Sequence, residues 1–192
     1  MPCSSPWDRP PFAKCGSAQR VLYEAIGRTL MNWEEIEGSF AHLYSAFVTG
    51  GRHDTTANRQ YGEPLNFAHR IEGLKTVARR HFHKHPSQDT EGTFDEIIRL
   101  SLGWSGRRND IAHGRARPSQ WLSQWLIKSE TTTYEFARWC VIPAHFRGEK
   151  FPDDIPAYIL SSREIRRFGD AFGKLAGRVE TFAYELEAKH CA

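Results

Sequence analysis

Apolar residues recur at steps of three and four in four stretches of the chain, the spacing that lines one face of an α-helix. In the first stretch, Ser17 can cap the helix start, and Gly50-Gly51 is a strong stop signal. The pattern predicts one helix of roughly 30 residues, about 45 Å long. The positions on its apolar face are Leu22, Ile26, Leu30, Trp33, Ile36 or Glu37, Phe40, Leu43 and Phe47.

Two more helices are predicted after a polar loop at residues 51–63. The first extends from about Pro64 to His85, and Pro86 ends it because proline lacks the N–H that a helix needs. The next begins near Thr93, and its apolar positions continue into residues 107–114. The third predicted helix therefore ends in the most chemically capable part of the chain.

The last helix has the most regular apolar pattern. Ser161 and Glu164 have the spacing of a capping box, and the apolar residues after them form a heptad-like seam. Gly169, Gly173 and Gly177 lie beside that seam. Because glycine costs about 1 kcal/mol in a helix interior, three in register predict a close neighbouring backbone. That neighbour is either the first helix of the same chain or a helix of a second chain.

The stretch before the last helix has a different texture. Residues 131–142 are rich in β-branched and aromatic residues and predict a strand, with residues 157–160 as its antiparallel partner. We expect a mainly α fold, an antiparallel bundle of about four main helices with a small β-ribbon inserted at about residues 131–160. Residues 1–16, which contain four prolines, are expected to form an N-terminal tail, and residues 17–192 a single domain.

The composition sets mild limits on function. A formal net charge of +3 over 192 residues permits nucleic acid as a partner without requiring it. The four cysteines form no C-x-x-C pair, which is typical of a reducing cytoplasm without a disulfide framework or zinc ribbon. The sequence has neither an apolar leader nor an apolar run long enough to cross a membrane. We therefore expect a cytoplasmic protein without a membrane partner.

Residues 107–114, Arg-Arg-Asn-Asp-Ile-Ala-His-Gly, concentrate several reactive side chains. Histidine accepts and donates protons near neutral pH, and an arginine guanidinium offers a planar fork of donors to phosphate oxygens. Asn109 can donate and accept hydrogen bonds, and the Asp110 carboxylate can orient an imidazole. These groups resemble the parts needed to cleave RNA without a metal. His113 would transfer the proton of a 2′-hydroxyl, and Arg108 would stabilise charge on the phosphorane.

Helix geometry favours a site built from two copies of the chain. Between Arg108 and His113 a continuous helix turns by roughly 500°, or about 140° net. The two side chains then lie on different faces of one helix. Across a two-fold axis, the histidine of one copy can face the arginine of the other. We therefore expect a symmetric homodimer.

Arg108, the polar Asn109 directly after it, and His113 after four intervening residues resemble the motif of the HEPN superfamily. In that family an arginine is followed by a polar residue, often Asn, Asp or His, and by a histidine four to six residues beyond the arginine. The ending Ala112-His113-Gly114 is similar to that of many members. The general pattern of predicted helices is also similar, over the flanking helices at about residues 18–114 and in a late helix.

The resemblance implies a helical, often dimeric protein. Many members are metal-independent ribonucleases, toxins or antiviral effectors, and others have lost activity. It implies catalytic roles for Arg108, Asn109 and His113 and no cofactor or metal. The expected partners are RNA, a second copy of the chain and, for a toxin, an antitoxin protein. Three further arginines beside the motif are expected to hold RNA phosphates: Arg107, Arg115 and Arg117.

Other interpretations of the same residues stay open. The protein could be a non-catalytic RNA-binding or protein-interaction module, because the motif residues could equally hold a dimer or an RNA end. The octapeptide could also be structural, since cations in the last turn of a helix interact favourably with its dipole and Gly114 would suit the residue after the helix. The basic run Arg79–His85 has the same helix-terminal explanation. His81 and His85 have the spacing of two metal ligands, but no suitable further ligands accompany them.

Overall fold

The computed structural model describes residues 5–9, 17–51, 54–118, 139–144, 150–151 and 156–191. The predicted mainly helical fold, with a small antiparallel sheet before the last helix, is confirmed. No helix in these ranges is both long and apolar enough to span a membrane. The helices are α1 (Gln19–Thr49), α2 (Thr55–Gly62), α3 (Phe67–Lys84), α4 (Gln88–Ala112) and α5 (Ser162–Cys191), and the strands are β1 (Gly114–Pro118) and β2 (Trp139–Pro143).

The chain divides into two compact units, each made of two segments. We call residues 1–31 and 106–170 the ribbon unit, because it contains both strands, and residues 32–105 and 171–192 the bundle unit. Helices α1, α4 and α5 contribute residues to both units. Helices α2 and α3 belong to the bundle unit alone.

An aromatic core holds the bundle unit together. Trp33 of α1 meets Phe67 of α3 and Phe172 of α5 at ring-centroid distances of 5.0 and 5.1 Å. Further along α1, Phe47 packs against Phe82 of α3 at 5.6 Å. Ring contacts of this kind add about 1 kcal/mol per pair to the burial of apolar area. The apolar faces predicted from the sequence therefore meet in one core.

The same contacts define the helix directions in the bundle unit. Trp33, in the middle of α1, meets Phe67 at the start of α3, and the later Phe47 meets the later Phe82, so these helices run in the same direction. The α1–α5 contacts follow the same order. Helix α4 runs against α5, since Glu96 pairs with Arg178 while the earlier Thr90 bonds to the later Lys189. Helix α2 lies between α1 and α3 in the chain, and with its loops it lets those two helices run in parallel. The antiparallel direction predicted for the bundle therefore holds for α4 against α5, but not for α1 against α3 or α5.

The predicted helix ends are close to the observed ones, except that α4 begins at Gln88, five residues before the predicted start near Thr93. The N–H of Ser161 donates to Glu164 Oε2 over 2.9 Å at the start of α5, so the capping box is confirmed. Asn66 caps α3 by accepting a hydrogen bond from a backbone N–H over 2.9 Å. Gly50 and Gly51 follow α1 with φ values of 68° and 96°. This left-handed backbone suits glycine and ends the helix.

The prediction of a polar loop at residues 51–63 was wrong in part, because this segment contains α2. The Asp54 carboxylate accepts from the N–H groups of Thr56 and Ala57 over 2.6 and 2.9 Å, which satisfies donors at the helix start. Two residues of α2 are buried, Ala57 and Tyr61. So short a helix has too few buried positions to give the three-and-four period on which the sequence argument depends.

The strands of the ribbon unit pair antiparallel, with Gly114 opposite Pro143. The ribbon was predicted at residues 131–160, and β2 falls there, but its partner is β1. Of the expected partner strand, Leu160 forms an isolated antiparallel bridge with Val141. Residues 131–138 lie outside the described residues. Strand β1 was missed because its sequence, Gly-Arg-Ala-Arg-Pro, contains no β-branched or aromatic residue.

The glycine stripe of α5 faces α1 of the same chain at its N-terminal end. In the ribbon unit, a Cβ at Gly169 would stand 2.7 Å from Thr29 Oγ1. In the bundle unit, one at Gly173 would be 3.5 Å from Asn32, an ordinary contact, and one at Gly177 would have nothing within 4 Å. Close helix approach therefore requires glycine at residue 169 alone among the three.

Candidate functional site

The octapeptide comprises the end of α4, the residue after it and the first residue of β1. The N–H of His113 donates to the carbonyl of Asn109 over 3.0 Å, so the helical bond pattern continues to His113. At Gly114, a Cβ would overlap Val141 Cγ1 and stand 2.5 Å from the carbonyl oxygen of Asp110. This close approach excludes a side chain at residue 114. The glycine does not have the left-handed backbone that a helix-ending glycine commonly adopts.

The Asp110 carboxylate is the centre of a buried charge cluster. Its side chain is 7% exposed. Arg9 Nε and Nη2 donate to its two oxygens over 3.2 and 3.1 Å, and Arg107 Nη2 lies 3.0 Å from Oδ2. Two guanidinium groups thus share one carboxylate, and the forked contact from Arg9 is a strong form of this pair. Asp110 is committed to this cluster and not to orienting His113, the use that the sequence suggested.

Tyr158 completes the cluster from the segment before α5. Its hydroxyl donates to the backbone carbonyl of Asp110 over 2.9 Å. The guanidinium of Arg9 lies 5.2 Å from the centroid of its ring, a cation–π distance. Burial, and secondly the charge of Asp110, raise the pKa of Tyr158 well above its usual value, so the phenol stays a donor. The end of α4 is therefore held through both its side chain and its backbone.

Arg107 was expected to hold an RNA phosphate, but its side chain is only 12% exposed. Burial lowers the pKa of its guanidinium, and the charge of Asp110 opposes that shift. Its Nε and Nη1 are buried and have no hydrogen-bond acceptor within the described part of the chain. A phosphate could reach these donors only if the cluster opened. In this structure Arg107 anchors the helix end, and the phosphate-binding role predicted for it stays a prediction.

The three motif residues are placed differently from Arg107 and Asp110. Asn109 and His113 are exposed, and Arg108 is half-buried. Arg108 Nη1 donates to Asn109 Oδ1 over 3.2 Å. The His113 imidazole has no hydrogen bond or ion pair with any other residue that the structure describes. One chain thus brings Arg108 to Asn109 but does not bring His113 to Arg108, as the rotation between them leads one to expect.

Strand β1 carries the other two predicted phosphate-binding residues. Arg115 is exposed and Arg117 is half-buried, opposite Ile142 and Cys140 of β2. Side chains two apart on a strand share a face, so both arginines lie on the same face of the sheet. They extend the basic character of the motif along β1.

Arg9 and Tyr158 were not among the site residues predicted from the sequence. Arg9 is 101 positions from Asp110, and Tyr158 is 48 positions from it. Spacing and periodicity relate only residues near each other in the chain, so no pattern could have joined these three. Residues 1–16 were predicted to form an N-terminal tail, and Arg9 of that segment supplies one of the two guanidinium groups that bind Asp110.

Comparisons of the chain with protein-family models, with curated proteins and with solved structures found no match. The similarity to the HEPN motif therefore rests on Arg108, Asn109 and His113. Over the described ranges, no group of three or more His, Cys, Asp or Glu side chains is placed to hold a metal ion.

Proposed function

We propose that the protein is a HEPN-like, metal-independent endoribonuclease of the toxin or defence type. The observation that carries the proposal is the division of the octapeptide into anchoring and exposed residues. Asp110 and Arg107 anchor the end of α4 through buried ion pairs, whereas Asn109 and His113 are exposed. Reactive groups held on a fixed backbone are what a preorganised site requires.

The chemistry is an internal transfer at phosphorus. A 2′-hydroxyl gives its proton to a His113 imidazole, and the 2′-oxygen forms a bond to the adjacent phosphorus. The bond to the 5′-oxygen breaks, and that oxygen takes a proton from a His113 imidazolium. The guanidinium of Arg108 stabilises the charge on the equatorial oxygens of the phosphorane, and Asn109 orients that guanidinium. The products carry a 2′,3′-cyclic phosphate and a 5′-hydroxyl.

The active unit in this proposal is a symmetric homodimer. Within the described part of one chain His113 forms no hydrogen bond with Arg108, and the helix turns by about 140° net between them. A two-fold axis near the two motif segments would let each histidine face the other chain's arginine. Arg115 and Arg117 would then extend the phosphate-binding surface on each side.

The decisive experiment is cleavage of a mixed RNA panel in EDTA. The wild-type chain should cut RNA but not the same sequence with 2′-O-methyl at the scissile position. Arg108→Ala should lower the rate by about 10²-fold or more. Arg108→Lys should recover only part of it, because an ammonium lacks the forked donor geometry. If a folded wild-type protein cuts none of the panel in EDTA, the ribonuclease proposal fails.

A non-catalytic RNA-binding module is the second candidate. The observation that favours it is the commitment of Asp110 to two arginines, which leaves the His113 imidazole without an orienting carboxylate among the described residues. Such a module should bind RNA without cleaving it. Removal of Arg115 would then reduce the slope of log affinity against log salt by about 0.7 on a single strand. Binding with no cleavage in the same panel would select this candidate.

A toxin must be neutralised in the cell that makes it. The proposal therefore includes an antitoxin protein as a partner and the cytoplasm as the location, in keeping with the cysteine pattern. Expression of the wild-type chain alone should arrest growth, and Arg108→Ala at the same protein level should not. Equal growth of the two strains would argue against the toxin type while leaving the ribonuclease chemistry to the cleavage assay.

A further inference from the structure

A cavity of about 440 Å³ lies in the bundle unit, where α3 ends beside the end of α1. Its volume is within the range of small-molecule sites. Apolar and aromatic side chains line one part of it, and basic side chains line another. The lining residues that matter here are Phe47, Val77, Arg80, His81, Lys84 and His85.

The basic part of the cavity has no neutralising acidic group within the described ranges, since no acidic side chain lines it. Arg80 and Lys84 are exposed, and neither forms an ion pair with a described carboxylate. Like charges four positions apart on a helix repel each other and destabilise it slightly. A bound anion would remove that repulsion.

Helix capping does not account for these cations. At the end of α1 the N–H of Gly51 donates to the carbonyl of Ala46 over 3.0 Å, the long bond of a Schellman turn. At the end of α3 the N–H of His85 donates to the carbonyl of His81 over 2.8 Å. In the part of the chain that the structure describes, neither cation bonds to a carbonyl of these helix ends. Their positions therefore call for another acceptor.

A row of rings lies beside the cations. The His81 ring is 5.1 Å from the ring of Phe47 and 5.0 Å from that of His85, and the two imidazoles are tilted by 36°. His81 is buried, and His85 is exposed. Flat side chains next to a basic surface are the combination that stacks nucleobases while holding their phosphates.

We propose that this cavity binds a nucleoside monophosphate unit, either as a free nucleotide or as one residue of an RNA strand. Arg80 and Lys84 bind its phosphate through charge-assisted hydrogen bonds. The base lies against His85, the exposed end of the row of rings, and against the apolar wall. The site uses no residue of the motif in the ribbon unit, so it does not depend on the proposed ribonuclease activity.

The test is a calorimetric titration with inorganic phosphate, ribose 5-phosphate, 5′-AMP and hexaadenylate at several salt concentrations. 5′-AMP should bind more tightly than ribose 5-phosphate, because only the nucleotide has a base to stack. Arg80→Gln should weaken binding of the adenine probes about tenfold, and for hexaadenylate should lower the salt slope by about 0.7. Binding of 5′-AMP alone identifies a free nucleotide as the ligand, and tighter binding of hexaadenylate identifies a strand. Both results support the site.

Arg79→Gln is the matched control, since Arg79 is an exposed arginine next to Arg80 that does not line the cavity. It should alter binding by less than about twofold, as expected for a charge that contacts no phosphate. Equal losses in the two variants would mean a general attraction to basic surface. Equal affinity for all three monophosphate probes would mean that the base is not recognised. Either result, or no binding of 5′-AMP or hexaadenylate at millimolar concentration, overturns the proposal.

Discussion

The ends of α3 and α4 share one spacing of arginines and histidine, and they have different surroundings. Each has two consecutive arginines and a histidine five positions after the second, as Arg80 precedes His85 and Arg108 precedes His113. At the end of α4 a buried carboxylate binds two guanidinium groups. At the end of α3 no acidic side chain lines the cavity among the described residues, and the cations surround open space.

One position accounts for much of this difference. Asp110 lies three residues after Arg107, close enough on the helix to pair with it. The equivalent residue of α3, three after Arg79, is Phe82, which packs into the aromatic core. At the end of α4, the inward-facing Asp110 binds the nearby arginines and anchors the helix. At the end of α3, Phe82 cannot form such ion pairs, so the cations there can bind a ligand. The spacing of arginine, polar residue and histidine alone therefore does not show whether the arginines anchor a helix end or bind a ligand.

The largest predicted effect is a difference in RNA cleavage rate between substitutions of His113 and His85. His113→Ala should lower RNA cleavage by about 10²- to 10⁴-fold in EDTA, because a general acid–base group is lost. His85→Ala removes an exposed histidine of the same spacing from α3 and should leave the rate of cleavage at saturating RNA within about threefold of wild type. Rates with one labelled RNA and melting curves for both variants provide the measurement.

Two outcomes would change the assignment of proton transfer to His113. If His85→Ala abolishes cleavage and His113→Ala does not, the chemistry belongs to the end of α3. If His113→Ala unfolds the protein, the residue is structural and the loss of activity says nothing about proton transfer. In that case His113→Gln, which keeps a polar side chain of similar size, is the variant to assay.

The next effect concerns the buried carboxylate. Asp110→Asn leaves Arg107 buried without a charged partner and weakens the forked contact to Arg9, so we expect a loss of about 3 kcal/mol in the free energy of unfolding. Asp95→Asn removes an exposed carboxylate from the same helix and should change stability by less than about 0.5 kcal/mol. Urea unfolding of the three proteins measures both values. Equal stabilities would mean that the cluster does not anchor α4.

The two glycines that follow α1 and α4 should respond to substitution for different reasons. Gly114→Ala should cost about 2 to 3 kcal/mol through overlap with Val141 and the Asp110 carbonyl. Gly50→Ala has open space but a φ of +68°, so we expect a loss of about 1 kcal/mol from backbone strain. Asparagine tolerates that φ better than alanine does, so Gly50→Asn should recover stability and Gly114→Asn should not. The reverse pattern would place the strain at residue 114.

The sequence was informative where one helix face repeats over several turns. The boundaries of α1 and the capping box of α5 follow from local spacing, and so does the position of the motif at a helix end. Helix α2 was not predicted, because its eight residues with two buried positions are too few to show a helical period of apolar residues. The β1–β2 pairing and the contact of Arg9 with Asp110 escaped because they join distant segments. Local spacing therefore could not predict which motif residues are exposed. It also could not predict that Arg107 and Asp110 form a buried ion pair.

The smallest expected effect is at the end of α3, and it makes the comparison quantitative. Replacing both Arg80 and Lys84 by glutamine removes two cations that have no ion pair in the described structure, so the free energy of unfolding should change by less than about 0.5 kcal/mol. Any change should be a gain at low salt, because repulsion between the two charges is relieved, and it should shrink as salt screens them. Arg107→Gln, at the anchored helix end, should instead destabilise at every salt concentration, because it removes a buried partner of Asp110. A large loss of stability in the double variant would show that Arg80 and Lys84 support the fold, and the contrast between the two helix ends would no longer hold.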